Sequence, residues 1–160
     1  MRVIAFALVA LIGIATSAFA FDDADALSGL KDGKIVFDIS TGDGNWLLKL
    51  LDIIDETRQS LIKQGIEPHI VIAFRGSATR LVQNDFDKIA PEYRIMASQI
   101  AEKLKIMSGE KGVEGLEQCS VAAREVGIDP ARVVPSVKVV GNSFISLMAY
   151  QQKGYAYIQP

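Results

Sequence analysis

The chain of 160 residues carries 17 Lys+Arg against 19 Asp+Glu, a formal charge of −2, with 49% hydrophobic and 22% charged residues. That balance suits a folded domain with a sizeable core and lacks the basic excess of a nucleic-acid binder, so no nucleic-acid partner is expected. With 1 His and 1 Cys the usual zinc spacings are excluded, and neither a metal nor another cofactor is expected.

Residues 1–20 read as a signal for export. Arg2 precedes an apolar run over 3–14, the chain turns small and polar through Ala15, Thr16 and Ser17, and Ala18-Phe19-Ala20 forms an A-x-A cleavage pattern. The expectation is a cleaved signal peptide, a mature chain starting at Phe21, a periplasmic location and no membrane association after cleavage. An uncleaved anchor is the alternative, weakened by Gly13 and the Thr16-Ser17 pair. No cysteine stands near the cleavage site to accept a lipid. Losing Arg2 leaves a mildly acidic mature domain. Residues 21–33, with Asp22, Asp23 and Asp25, read as a flexible leader, and residues 34–160 as a single α/β domain.

Strand and helix patterns alternate from there on. Residues 34–40 (KIVFDIS) are β-rich and end in the turn residues Thr41-Gly42-Asp43-Gly44. Over 45–64 the apolar positions Leu47, Leu50, Leu51, Ile54, Leu61 and Ile62 trace one face of a helix, stopped by Gly65. Residues 69–74 (HIVIAF) suit a strand buried on both faces. A long connection opens with Arg75-Gly76-Ser77, and a second helix runs over 93–107. A weak strand over 113–118 delivers the chain to Cys119, followed by a short helix over 120–126. A strand over 137–140, a helix over 143–153 and a strand over 155–158 close the chain. Such alternation with right-handed crossovers predicts a three-layer α/β/α fold with a five-stranded, mainly parallel, flavodoxin-like sheet, for which we take the order 2-1-3-4-5.

In that order ligands bind beyond the carboxyl ends of the strands, at the switch point between the first and third. The loop bearing Thr41, Gly42 and Asn45 would face the one bearing Cys119 and Ser120. Arg75, Gly76 and Ser77 would flank them on one side, Gly141, Asn142 and Ser143 on the other. A thiol at a helix start meets unpaired N–H groups and the positive end of the macrodipole, which favour thiolate; Arg75 is the one cation expected nearby. A buried, inert cysteine is the competing reading. His69, at the start of the second strand, falls on the opposite edge of the sheet and is no partner for the thiol. Thr41-Gly42-Asp43-Gly44 is a poor phosphate cradle: no Gly-Lys-Ser/Thr follows, the third glycine of a dinucleotide fingerprint is Leu47, and Asp43 serves better as a helix cap. Tyr150, Tyr155 and Tyr157 should pack the last helix onto the sheet, and Met96, Met107 and Met148 should lie in the core.

Gly112-Val113, then Cys119-Ser120-Val121-Ala122-Ala123-Arg124, Gly127-Ile128, Val137-Lys138-Val139-Val140, and Gln151 with Gly154-Tyr155 and Tyr157-Ile158 resemble the DsrE/DsrF-like family of sulfur-relay proteins. The match is best over the C-terminal third. The resemblance implies a flavodoxin-like fold, a homo-oligomer (trimer or hexamer), and a cysteine at the Cys119 position that holds sulfane sulfur as a persulfide. The better-understood members work in the cytoplasm, so export leaves the sulfur donor and acceptor proteins unidentified. Arg124-Glu125-Val126-Gly127 departs from the arginine-rich, glycine-ended segment common after the carrier cysteine, which points to a different partner surface.

The expected function is therefore a periplasmic sulfur carrier, more a carrier than an enzyme, that takes sulfane sulfur on Cys119 and passes it to an acceptor thiol. The alternatives are a non-catalytic oligomeric module that binds a small molecule or protein, with Cys119 inert, and a disulfide between subunits at Cys119.

Overall fold

The computed structural model describes residues 22–160, so the export segment expected over residues 1–20 lies outside the described residues. From the first strand on, the elements follow the expected sequence. Helix α1 (Ala24–Leu27) precedes strand β1 (Asp32–Ile39), helix α2 (Gly44–Lys63) and strand β2 (Glu67–Phe74). After two 3₁₀ turns come helix α3 (Pro91–Met107), strand β3 (Val113–Cys119) and helix α4 (Ser120–Glu125). Strand β4 (Lys138–Val140), helix α5 (Ser143–Gln152) and strand β5 (Ala156–Ile158) complete the chain. Ahead of the sheet, the single turn of α1 is tied to the end of α2 by the Asp23 N–H, which donates to Gln64 Oε1 at 2.9 Å.

Local chemistry explains the boundaries. Asp43 caps α2 by accepting the Trp46 N–H at 3.1 Å, and Gly65 ends it in the left-handed region at φ 79°, where a Cβ would be strained. Proline is the first residue of α3, where its missing N–H costs nothing. Asn142 caps α5 by accepting the Phe144 N–H at 2.9 Å.

All five strands are parallel, and their order is β4-β3-β2-β1-β5. The three-layer α/β/α architecture is as expected, but the order differs in detail from 2-1-3-4-5: β3 pairs with β2, and β5 takes the free side of β1. Successive right-handed crossovers from β1 to β4 step in one direction, which sets α2, α3 and α4 on one face. The return from β4 to β5 runs the other way and sets α5 on the opposite face.

The core divides accordingly. Phe37, Ile39, Ile70, Ile72, Phe74 and Leu116 meet Leu47, Leu51, Ile54, Ile100, Leu104 and Met107 on the α2/α3 face. Each such fully buried side chain contributes about 1.5–3 kcal/mol. The intervening strand positions Val36, Val71 and Ala73 meet Leu147, Tyr150 and Tyr155 on the α5 face, so the period-2 alternation of a doubly covered sheet is kept. That second layer is a single helix, and it leaves Phe144, Ile145, Met148, Tyr157 and Ile158 exposed. Met107 is a core residue and Met96 packs against the core, whereas Met148 faces outward because the α5 layer has no neighbour to cover it.

Candidate functional site

Oppositely directed helices make a switch point between β3 and β4, whose last residues Cys119 and Val140 pair directly. Cys119 is the last residue of β3 and immediately precedes α4. Its side chain turns to the α5 face, where Sγ accepts the Ser143 N–H, the first of α5, at 3.4 Å. The thiol is only 4% exposed. Burial pushes its pKa up, but hydrogen bonds from the Ser143 hydroxyl and N–H and from the Ala122 and Val121 amides outweigh that and hold it below the ordinary thiol value. The thiol therefore stands where two helices begin, bonded by the first N–H of α5 and beside the first amides of α4.

The segment over the thiol is held by short contacts. Ser120 Oγ donates to the Gly141 carbonyl at 2.8 Å, joining the two strand-end loops. Glu117, two residues before Cys119 on the same face, is buried and accepts from Ser146 Oγ and from Tyr150 Oη, which pins α5 to β3. Burial and the bond to Glu117 push the Tyr150 phenol up to about 12, so it stays a donor at neutral pH. Tyr150 also packs edge-to-face on Tyr155, with ring centroids 5.1 Å apart.

One strand over, Arg75 grips Asp38 with two parallel bonds, Nε to Oδ1 at 2.6 Å and Nη2 to Oδ2 at 2.8 Å. Asp38 is 1% exposed and takes a third bond from Tyr157 Oη at 2.5 Å. The hydrogen bond to Asp38 raises the pKa of Arg75 and also that of Tyr157. The guanidinium carbon lies 5.5 Å from the centroid of the Phe144 ring, so the second residue of α5 rests against Arg75.

Cys119, Ser120 and Asn142 thus come together, with Arg75 on the neighbouring strand. The loop after β1 does not face the thiol, because β2 lies between β1 and β3 and separates them by two strand spacings. Thr41 accepts the Asp43 N–H at 3.1 Å, and Asn45 is exposed on the first turn of α2. Gly42 packs against the turn after β2, so closely that a Cβ there would lie 2.9 Å from Ser77 Cβ. Gly76 opens that turn at φ 53° and accepts the Thr79 hydroxyl at 2.7 Å. His69 pairs with Glu114 near the amino end of the sheet, away from Cys119.

Ser143 was expected beside the thiol and is there, whereas Asp38, Glu117, Tyr157 and Phe144 were not foreseen as site residues. A signal existed for two of them: a carboxylate inside an apolar strand is buried only with partners. On the other face of β3, Gln118 is completely buried, and neither amide atom has a hydrogen-bond partner. Among the described residues no three His, Cys, Asp or Glu side chains group as a metal site, and no helix is long and apolar enough to cross a membrane.

Comparison with known proteins agrees with this geometry. An uncharacterized protein of Aquifex aeolicus (strain VF5) is 30% identical over 125 residues, 78% of this chain and 55% of that protein, so the chain spans about half the length of that relative. The solved structure of a protein of unknown function from Methanobacterium thermoautotrophicum superposes with a TM-score of 0.62 at 22% identity, covering 81% of this chain and all of the other, a likeness of fold. The model of the DsrE/DsrF-like family matches residues 15–160, which takes in every strand of the sheet and the thiol at its switch point. By that match the chain belongs to the DsrE/DsrF-like family.

Proposed function

We propose that the protein is a sulfur carrier whose Cys119 holds sulfane sulfur as a persulfide and yields it to an acceptor thiol. The observation that carries this reading is the Ser143 N–H on Cys119 Sγ at 3.4 Å, part of a ring of donors that lowers the thiol pKa. Thiolate is the nucleophile in sulfur transfer, and a persulfide anion at the same place meets the same donors. With thiosulfate as donor, the thiolate attacks the outer sulfur, a Cys–S–S bond forms, and sulfite leaves with the electron pair of the broken S–S bond. An acceptor thiolate then attacks the terminal sulfur and releases the Cys119 thiolate. The chain has 1 Cys, so the acceptor belongs to another molecule.

The site of action in this proposal is the periplasm, on the strength of residues 1–20. A homo-oligomer is favoured by the apolar residues left uncovered beside the site, Phe144, Ile145 and Met148 on α5 with Tyr157 and Ile158 on β5. Mass spectrometry after exposure to polysulfide or thiosulfate tests the carrier role. One added sulfur on Cys119, absent from a Cys119→Ser control, is the expected result; no adduct, or an equal adduct in the control, overturns it.

The 4% exposure of Cys119 favours a second reading, a binding module whose thiol is inert. Titration of the native protein with a disulfide reagent separates the two. Reaction at neutral pH in the folded state supports the carrier, and reaction only on denaturation supports the module.

A further inference from the structure

A group of basic side chains with no role assigned so far lies on the face of the sheet away from the Cys119 side chain. Here the turn after β2, the segment leading into α3 and the end of α4 enclose a cavity of about 480 Å³. Arg80, Lys88 and Arg132 line it, and no carboxylate does. Ser77 and Tyr93 add hydroxyls, Gly42 brings in the loop after β1, and Ile89 and Ile128 supply apolar wall. The volume falls within the range of small-molecule sites, roughly 300–1,000 Å³.

The three cations differ in how free their charge is. Asp85 Oδ2 lies 3.3 Å from Arg132 Nε and 3.7 Å from Lys88 Nζ, and Asp129 lies 4.0 Å from Arg132 Nε. These carboxylates stand outside the lining of the cavity, where they orient the two cations and offset part of their charge. Arg80 has no carboxylate within 4.0 Å among the described residues, and the buried Gln83 amide, which donates to the Arg80 carbonyl at 2.8 Å, braces its backbone. An Arg80 side chain in the lining of a cavity with apolar walls, with two further cations and two hydroxyls around it, matches the donor-only demand of a tetrahedral oxyanion.

The cavity also adjoins a groove at the start of α4. Gly127 and Ile128 belong both to its lining and to that of an adjoining groove, which continues to Arg124 and to Ser120, the residue after Cys119. We infer that this cavity binds a small ligand through a doubly charged tetrahedral oxyanion group seated on Arg80, Lys88 and Arg132. The same chemistry would serve a sulfur oxyanion or a phosphate, and the site does not require Cys119 to be reactive.

The test uses the Cys119→Ser chain, so that no covalent chemistry contributes and a failed carrier role leaves it intact. Thiosulfate and inorganic phosphate are titrated calorimetrically at constant ionic strength set with chloride. Saturable binding of at least one anion is expected, weakened roughly threefold to tenfold by Arg80→Gln and again by Lys88→Gln. Lys49→Gln, an exposed cation on α2 outside the cavity, should leave the affinity unchanged. Both cavity side chains are exposed, so the variants should melt with the parent and report on binding alone. Tighter binding of thiosulfate identifies a sulfur oxyanion as the ligand class, and tighter binding of phosphate a phosphorylated one. No saturable binding of either anion, or equal binding in both cavity variants, overturns the inference.

Discussion

Removing the donors on Cys119 one at a time tests the origin of its lowered pKa. Ser143→Ala deletes the hydroxyl and keeps the N–H; Ser143→Pro deletes both. Proline is suited to this place, since Ser143 is the first residue of α5 and Asn142 before it is already extended, at φ −152° and ψ 118°. A hydrogen bond of this kind contributes about 1 kcal/mol, and 1.36 kcal/mol corresponds to one pKa unit. The alanine variant should therefore titrate above the parent, and the proline variant above the alanine one, each step reflecting the loss of one such bond. Well below the parent's apparent pKa the thiolate fraction would fall roughly fivefold and thirtyfold respectively. The assay is the pH dependence of alkylation by iodoacetamide, read as the apparent pKa and not as a rate at one pH, because intrinsic nucleophilicity rises with pKa. Circular dichroism confirms that α5 persists. If both variants titrate with the parent, the start of α5 does not activate the thiol; if alanine and proline move it equally, the N–H contributes nothing.

Three further outcomes follow from the contacts around the site. Phe144→Ala removes the ring packed on Arg75, a contact of about 0.5–1 kcal/mol, so the start of α5 should open more often and a bulky disulfide reagent should reach Cys119 about twofold to fivefold faster; an unchanged rate would assign access to another segment. Gln118→Met keeps the shape of a buried side chain whose amide is unpaired, and should raise stability by about 1–2 kcal/mol in urea titration with an unchanged m-value; a loss instead would mean that the amide is satisfied. Burial acts to raise the Glu114 carboxyl, but bonds from Tyr155 and His69 prevail and hold it below its ordinary 4.5. The unfolded chain therefore takes up the proton first, the contribution of Glu114 is present above pH 4.5 and lost as pH falls through the lower folded value, and Glu114→Gln should flatten that acid limb of the urea midpoint.

The sequence was most informative where local rules suffice. The apolar spacing of Leu47, Leu50, Leu51 and Ile54, the Asp43 cap and the Gly65 stop placed α2 to within a residue at each end, and the strand-to-helix step at Cys119 located the thiol at the carboxyl edge. Strand order was less legible. A strand covered on both faces has the same apolar signature beside any neighbour, so the β2–β3 pairing left no mark on residues 69–74. The segment after β4 was expected beside the thiol, but individual contacts were illegible for a related reason: the Ser143 N–H reaches Sγ from 24 residues further on, and Asp38 finds its partners 37 and 119 residues away. Asp38 within KIVFDIS still carried a warning, since an apolar strand keeps a buried carboxylate only where distant cations or hydroxyls meet it.

The pairing of β1 with β5 brings Ile35 beside Ala156, so the first and last strands of the domain are neighbours. Synthesis delivers β1 before, and β5 after, the other strands of this sheet. Until β5 emerges, one edge of β1 has no partner and Asp38 lacks the Tyr157 hydroxyl, so a nascent chain can assemble β1 to β4 yet not finish the sheet. Completion of the sheet thus waits for β5, in keeping with the slow kinetics of pairings between distant segments.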